Sequence, residues 1–360
     1  MRRWGVGVGW DGAVRRSSGV PDGVVRLASQ QEGLVTSRQL AACGVPRQRV
    51  ADKVAQGTLV RVSRGVFDVE LVPVVDRTPH WARAQGWERP GAVVDHLHRR
   101  AAILALFERG SAAIAVGLAA LALHEVRGLP ADFDPAVTIP RRAPRTSPGR
   151  GSVRRARRSD DVVIVRGLRA APLPCAVAQA LLELASRPGR RRYAVALLDD
   201  VVSRGLIDLD GLREVRRRVW HRPGAAQARE WLDQVNPGSQ SPAETWARLS
   251  CEDAGCPPDR LQLEVRNHAG ILIARVDMAW LLPRGGWLFA EIDGQDVHST
   301  PLAVVRDRTR QNLLADLGAV LRFTGRDAWS GRVADEVARR LTTAGWRPRR
   351  PTPPTLHLPH

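Results

Sequence analysis

Lysine is all but absent: Lys53 is the only one, although basic residues outnumber acidic ones 55 to 37 and leave a formal charge of +18. The base is therefore arginine, whose planar fork matches phosphate geometry, so the excess favours a nucleic-acid partner. The same preference also follows from GC-rich coding, and both readings stand. Cysteine is scarce too. Cys43, Cys175, Cys251 and Cys256 are scattered, and the one close pair has four residues between its members, which suggests neither a disulfide framework nor a Cys-x-x-Cys metal site. No apolar run reaches the roughly 18 residues needed to span a membrane. The first twenty residues are rich in glycine and arginine without an apolar signal core, so a cytoplasmic location is expected.

What the chain has is length for two or three domains and a hydrophobic content of 44%, ordinary for globular cores. The expected divisions are a flexible lead (1–22), a helical and hairpin unit (23–70), a linker (71–100), a middle α+β region (101–235), a C-terminal α/β unit (238–345) and a disordered proline-rich tail (346–360). The expected class is a multidomain mixed α/β protein.

From Val24 the pattern is helical, continuing through Gly33-Leu34-Val35 to Thr36, which can cap a second helix ended by Gly44. Pro46 opens a third helix to about Gln56, with Val50 and Val54 on its buried side and Arg47, Gln48, Arg49 and Lys53 outside. Two short strands around Ser63-Arg64 follow, with Arg61 in the first. Helix, turn, helix and basic hairpin make a winged helix-turn-helix, whose third helix enters the major groove while the wing touches backbone. A small helical domain with a solvated charged face, used for protein contacts, fits the same pattern. Residues 24–69, notably Gly33-Leu-Val-Thr-Ser-Arg-Gln-Leu40, Gly44-Val-Pro46 and Arg61-Val-Ser-Arg-Gly-Val-Phe67, resemble the N-terminal winged helix of the AbiEi-type antitoxin and transcriptional-regulator family. The resemblance implies binding of double-stranded DNA.

Prolines 73, 79 and 90 break the next stretch, and His96-Leu97-His98, spaced as on a strand, lacks a third ligand nearby, so a linker packing its tryptophans is expected there. Residues 101–107 and 112–123 read as buried helices, with His124 as a C-terminal cap. After a strand at 137–140, residues 141–158 hold eight arginines and no acid. This is a solvated loop, either a phosphate-contacting arm or a hairpin of biased composition. A strand at 161–165 and helices at 176–185, 193–201 and 209–219 follow, with Asp199-Asp200 as solvated acids. No function attaches to the middle region.

Residues 271–282 and 287–292 are strand-like runs joined by Pro283-Arg284-Gly285-Gly286, a hairpin turn. Asp277 interrupts the first; Glu291 and Asp293 end the second on one face. Carboxylates at buried strand positions are costly without a positive partner, and a divalent metal ion would supply one. Upstream, Ser241-Pro242-Ala243-Glu244 is a helix start with a capping box, so Glu244 either caps or joins a metal site. A strand at 261–265, a helix at 302–317 and a returning strand at 320–324 complete a mixed sheet flanked by helices.

Residues 241–327 resemble the Vsr-like, PD-(D/E)XK-fold endonuclease domains, on Ser241-Pro-Ala-Glu-Thr245, Arg275-Val-Asp277, Glu291-Ile-Asp-Gly294, His298, Arg306-Asp-Arg308 with Arg310-Gln-Asn312, and Gly318 followed by Val320-Leu-Arg-Phe-Thr324. The resemblance implies Mg²⁺ or Mn²⁺ held by Asp277 and Glu291, with Glu244 available, hydrolysing a DNA phosphodiester in repair or defence. The lysine expected two residues after the Glu is Asp293 here. Arg308 and Gln311, three apart on a helix, could supply the missing donor. His298 is either an acid/base group or a hydrogen-bonded surface histidine. Three functions follow: a metal-dependent endonuclease; an antitoxin-type regulator whose nuclease-like domain serves binding or dimerisation, the latter giving a homodimer; and a protein-interaction scaffold.

Overall fold

The computed structural model describes residues 19–69, 92–132, 134–139, 152–155, 161–267, 269–293, 313–348 and 355–357. Within them lie three sheets, each with its own helices, so the class is mixed α/β as expected.

The N-terminal unit contains α1 (Asp22–Gln30), β1 (Leu34–Thr36), α2 (Ser37–Ala42), α3 (Arg47–Ala55), β2 (Val60–Ser63) and β3 (Val66–Asp68). Thr36 caps α2 through a capping box with Gln39, as its sequence spacing demands. The helical pattern expected through Gly33-Leu34-Val35 is instead a turn and a strand. Gly33 takes a left-handed φ of 85° after α1, and Leu34 to Thr36 pair antiparallel with β3, giving the sheet order β1-β3-β2. Val24, Leu40, Val50, Leu59 and Phe67 fill the core between this sheet and the helices.

The middle unit begins with α4 (Ala92–Arg109), which starts well before residue 101 and so places His96 and His98 on a helix rather than a strand-like linker. Both histidines are buried. The expected helix over 112–123 divides into β4 (Ile114–Val116) and α5 (Gly117–Leu123). Gly117 makes the division, with φ of 53°, and a Cβ there would lie 2.9 Å from Glu183 Oε2. The strands β5 (Ala136–Ile139), β6 (Ser152–Arg155), β7 (Val163–Val165) and β8 (Leu168–Ala170) give the order β6-β5-β4-β8-β7. The arginine-rich stretch thus contains a strand at 152–155; its other residues lie outside those described. Helices α6 (Leu173–Ala185), α7 (Arg191–Ser203), α8 (Leu209–Val219) and α9 (Ala225–Leu232) complete the unit. His124 is the residue that ends α5, and its Nε2 pairs with the Ala171 carbonyl at 2.9 Å.

In the C-terminal unit, α10 (Pro242–Asp253) precedes β9 (Arg260–Arg266), β10 (Leu272–Leu281) and β11 (Trp287–Asp293), an antiparallel meander with the expected hairpin turn. The returning strand β12 (Gly318–Thr324) lies parallel to β11, and α11 (Gly325–Ser330) and α12 (Arg332–Thr343) follow. The tail was expected to be disordered. Instead Trp346 is buried and donates its indole N–H to Asp259 Oδ2 at 3.1 Å, and β13 (Thr355–His357) pairs parallel with β9 at the sheet edge. A bulky indole with a nearby carboxylate acceptor has a reason to pack that proline content does not reveal. Among the described residues no helix is long and apolar enough to cross a membrane.

Candidate functional site

Two regions carry the residues singled out by the sequence. The first is the exposed face of the N-terminal unit. Val50 anchors α3 in the core while Arg47, Gln48 and Arg49, in its first turn, face solvent. Lys53 does not join them: its ammonium donates to the Gly19 carbonyl, tying the chain ahead of α1 to α3. On the hairpin, exposed Arg61 lies with its guanidinium 5.4 Å from the centre of the Phe67 ring, and Arg64 is exposed at the turn. The Gly65 carbonyl accepts the Ser37 N–H at 2.8 Å, so the hairpin tip is fixed against the start of α2. Exposed Arg38 sits beside that contact; it falls in the resembling segment but was not singled out, because one arginine among many carries no signal of its own.

This unit is clamped to the middle one by buried charge. Glu32 is fully buried in a left-handed conformation, φ 53°. Its carboxylate pairs with His96 Nδ1 and accepts from Arg99 Nε at 2.5 Å, and Arg166 Nη2 lies 3.5 Å away. Arg100 donates to the Glu32 carbonyl at 2.8 Å and to Asp68 at 2.7 Å. Burial alone would raise the Glu32 pKa, but the His96 hydrogen bond and the Arg99 charge hold it below its ordinary value.

Asp199 and Asp200 are buried rather than solvated. Asp199 accepts from Asn236 N and Thr245 Oγ1, both at 2.8 Å, and from Arg248 Nη2 at 2.9 Å; Asp200 accepts from Arg127 Nε at 2.6 Å and Arg204 at 2.9 Å. Because Thr245 and Arg248 belong to α10, Asp199 joins the middle and C-terminal units. Burial raises its pKa despite Arg248.

The second region is the carboxylate pocket of the C-terminal unit. The structure brings Glu244 and Asp277 together and connects them through a residue the sequence did not flag, Gln262, whose amide nitrogen lies 2.9 Å from Glu244 Oε2 and 3.2 Å from Asp277 Oδ1. Asp277 Oδ2 accepts the Ile292 N–H at 2.8 Å. Glu244 serves the helix start as well: Ser241 Oγ accepts its N–H at 3.2 Å, while its own carboxylate takes Gln240 N at 2.8 Å instead of closing the box on Ser241. Glu291 is buried with Arg322 Nη2 at 3.2 Å, and Asp293 is exposed at the end of β11. Burial, then the Asp277 charge, push the Glu244 carboxyl up to about 7, and burial raises Asp277 too. His298, Arg308 and Gln311 lie outside the described residues.

As arranged, these side chains do not fit a resident divalent ion. Both Asp277 oxygens are engaged by N–H donors and Glu291 is paired with a guanidinium. Among the described residues, no three His, Cys, Asp or Glu side chains are grouped to hold a metal. Hard cations need several oxygen ligands directed at one point.

Residues 24–67 match the family model described as a transcriptional regulator, AbiEi antitoxin. Two uncharacterized proteins of Mycobacterium tuberculosis, from the Oshkosh and H37Rv strains, are each 32% identical over 164 residues, 44% of this chain and 58% of theirs. The chain thus spans less than two thirds of the relatives it matches. The N-terminal unit is thus similar to the helix-and-wing domains found in transcriptional regulators.

Proposed function

We propose that the protein is a DNA-binding transcriptional regulator in which α3 reads duplex DNA, the hairpin contacts backbone, and the nuclease-like unit acts as a scaffold without phosphodiesterase activity. The observation that carries this reading is the Arg47-Gln48-Arg49 turn, exposed on a helix whose opposite face is locked in a core that matches the regulator family. Arginine pairs bidentately with guanine and glutamine with adenine in the major groove, so this turn supplies base readout. Arg61 and Arg64, with the hairpin tip fixed on α2, supply phosphate contacts that set orientation without sequence preference. Lys53, tied to Gly19, contributes to the fold of the unit instead of to DNA.

The test is selection of bound duplexes from a random pool, followed by titration of the enriched site at several salt concentrations. Arg47→Ala or Arg49→Ala should each cost about 1–3 kcal/mol of specific affinity and relax sequence preference. Arg64→Ala should weaken all duplexes alike and lower the salt slope by about one. A folded protein with no duplex affinity at low salt would leave the scaffold reading in its place. Supercoiled plasmid with Mg²⁺ or Mn²⁺ should remain uncut. Metal-dependent nicking abolished by both Asp277→Ala and Glu291→Ala would instead establish the endonuclease.

A further inference from the structure

We propose that the side-chain amide of Gln262 stands where a divalent cation would bridge the carboxylates, so that the pocket is a metal-free hub that fixes α10 to the sheet. The inference starts from a backbone anomaly. Gln262 lies inside β9 with φ of 50°, the left-handed region that residues with a side chain avoid. Strand pairing holds on either side of it, Leu263 with Val276 and Leu261 with Met278, and skips Gln262 itself, which stands at the level of Asp277. A residue held in this conformation inside a strand needs surrounding interactions that impose it.

Those interactions are the two carboxylates. The Gln262 amide reaches Glu244 Oε2 at 2.9 Å and Asp277 Oδ1 at 3.2 Å, so one NH₂ group serves two acids from different elements, a helix start and the central strand. Each acid has a further amide donor: Gln240 N at 2.8 Å for Glu244, and Ile292 N at 2.8 Å for Asp277. Gln240 is held in turn by Arg275, which donates to its side-chain oxygen at 2.9 Å. The neighbouring Glu291 is met by Arg322 at 3.2 Å. Bridging carboxylates from separate elements is what a divalent ion does in an oxygen-ligand site. Here N–H groups perform it, and an ion bridging the same oxygens would have to displace an amide that the backbone of β9 holds in place.

The inference rests on the regulator reading only in treating the pocket as non-catalytic. The experiment uses the full chain, with thermal unfolding and calorimetric titration of MnCl₂ against an NaCl control of matched ionic strength. Wild type should show no Mn²⁺-dependent rise in Tm and no binding heat. Gln262→Gly, which keeps the left-handed backbone and removes the amide, should gain Mn²⁺ binding with a rise of a few degrees, and Gln262→Glu should gain more. Adding Asp277→Asn to either variant should abolish the gain. Mn²⁺ binding by wild type that Asp277→Asn abolishes would overturn the proposal, as would folded Gln262→Gly and Gln262→Glu proteins that gain nothing. Duplex binding by the same preparations reports separately on the regulator reading: its loss, with the metal results as expected, would sink that reading and leave this one intact.

Discussion

Carboxylates withdrawn from water are handled in opposite ways in two parts of this chain, fully buried in one and half-buried in the other. At the junction of the first two units, Glu32 meets His96, Arg99 and Arg166, and its pKa falls despite complete burial. In the C-terminal pocket, Glu244 and Asp277 meet neutral amides and each other, and the Glu244 pKa rises to about 7. The same chemical group is driven in opposite directions by the charge of its donors. Cations compensate the loss of hydration; amides satisfy the lone pairs but leave the charge exposed to a like neighbour.

The comparison can be broken at its strongest point. Glu32→Ala leaves the Arg99 and Arg166 guanidinium groups and the His96 ring around an emptied site and should destabilise the protein by about 3–5 kcal/mol, read as a fall in the denaturation midpoint. A loss comparable to an exposed pair would show that the clamp is not what holds the units together. Asp199→Ala should come next, at about 3 kcal/mol, because Arg248, Thr245 and the Asn236 amide all lose their acceptor.

The pH dependence sharpens the comparison further, since the two regions should respond with opposite sign. Glu244 has a folded pKa above its ordinary 4.5, so the folded state holds the proton more tightly. Its contribution is fully present below about pH 4.5 and lost as pH rises through about 7. Glu32 has a lowered folded pKa; its contribution is present above its ordinary value and lost as pH falls through the folded one. Glu244→Gln should therefore raise stability at pH 8 by about 1–2 kcal/mol, with the gain vanishing near pH 4.5, when Tm is followed across pH. A gain independent of pH would remove the ionisation account. The smallest effect belongs to the exposed pair Arg213–Asp210: Asp210→Asn should change stability by less than about 0.5 kcal/mol in the same assay.

How much was legible follows from the range of the interactions. The capped α2, the Pro46 entry to α3, the hairpin through Gly285-Gly286 and the helix starting at Pro242 rest on contacts a few residues long, and each is where its spacing placed it. Local pattern failed where a partner came from far along the chain. Two adjacent aspartates on a helix read as solvated, yet the guanidinium that pairs with Asp199 is 49 residues away. His96 looked like part of a linker because its carboxylate partner is 64 residues back. Gln262 gave no signal at all, since a lone glutamine in a strand is unremarkable until Glu244 and Asp277 converge on it.

The sequence by itself determined the basic, arginine-dominated charge, the helix-and-wing order of residues 24–69 and the acidic positions of the C-terminal strands, because composition, caps, turns and alternation act over neighbouring residues. Only the tertiary structure decided which of those acids meet cations and which meet amides, that Lys53 reaches the Gly19 carbonyl, and that residues 355–357 pair at a sheet edge. Burial and the dielectric around a charge are properties of assembled elements, and no stretch of chain carries them alone.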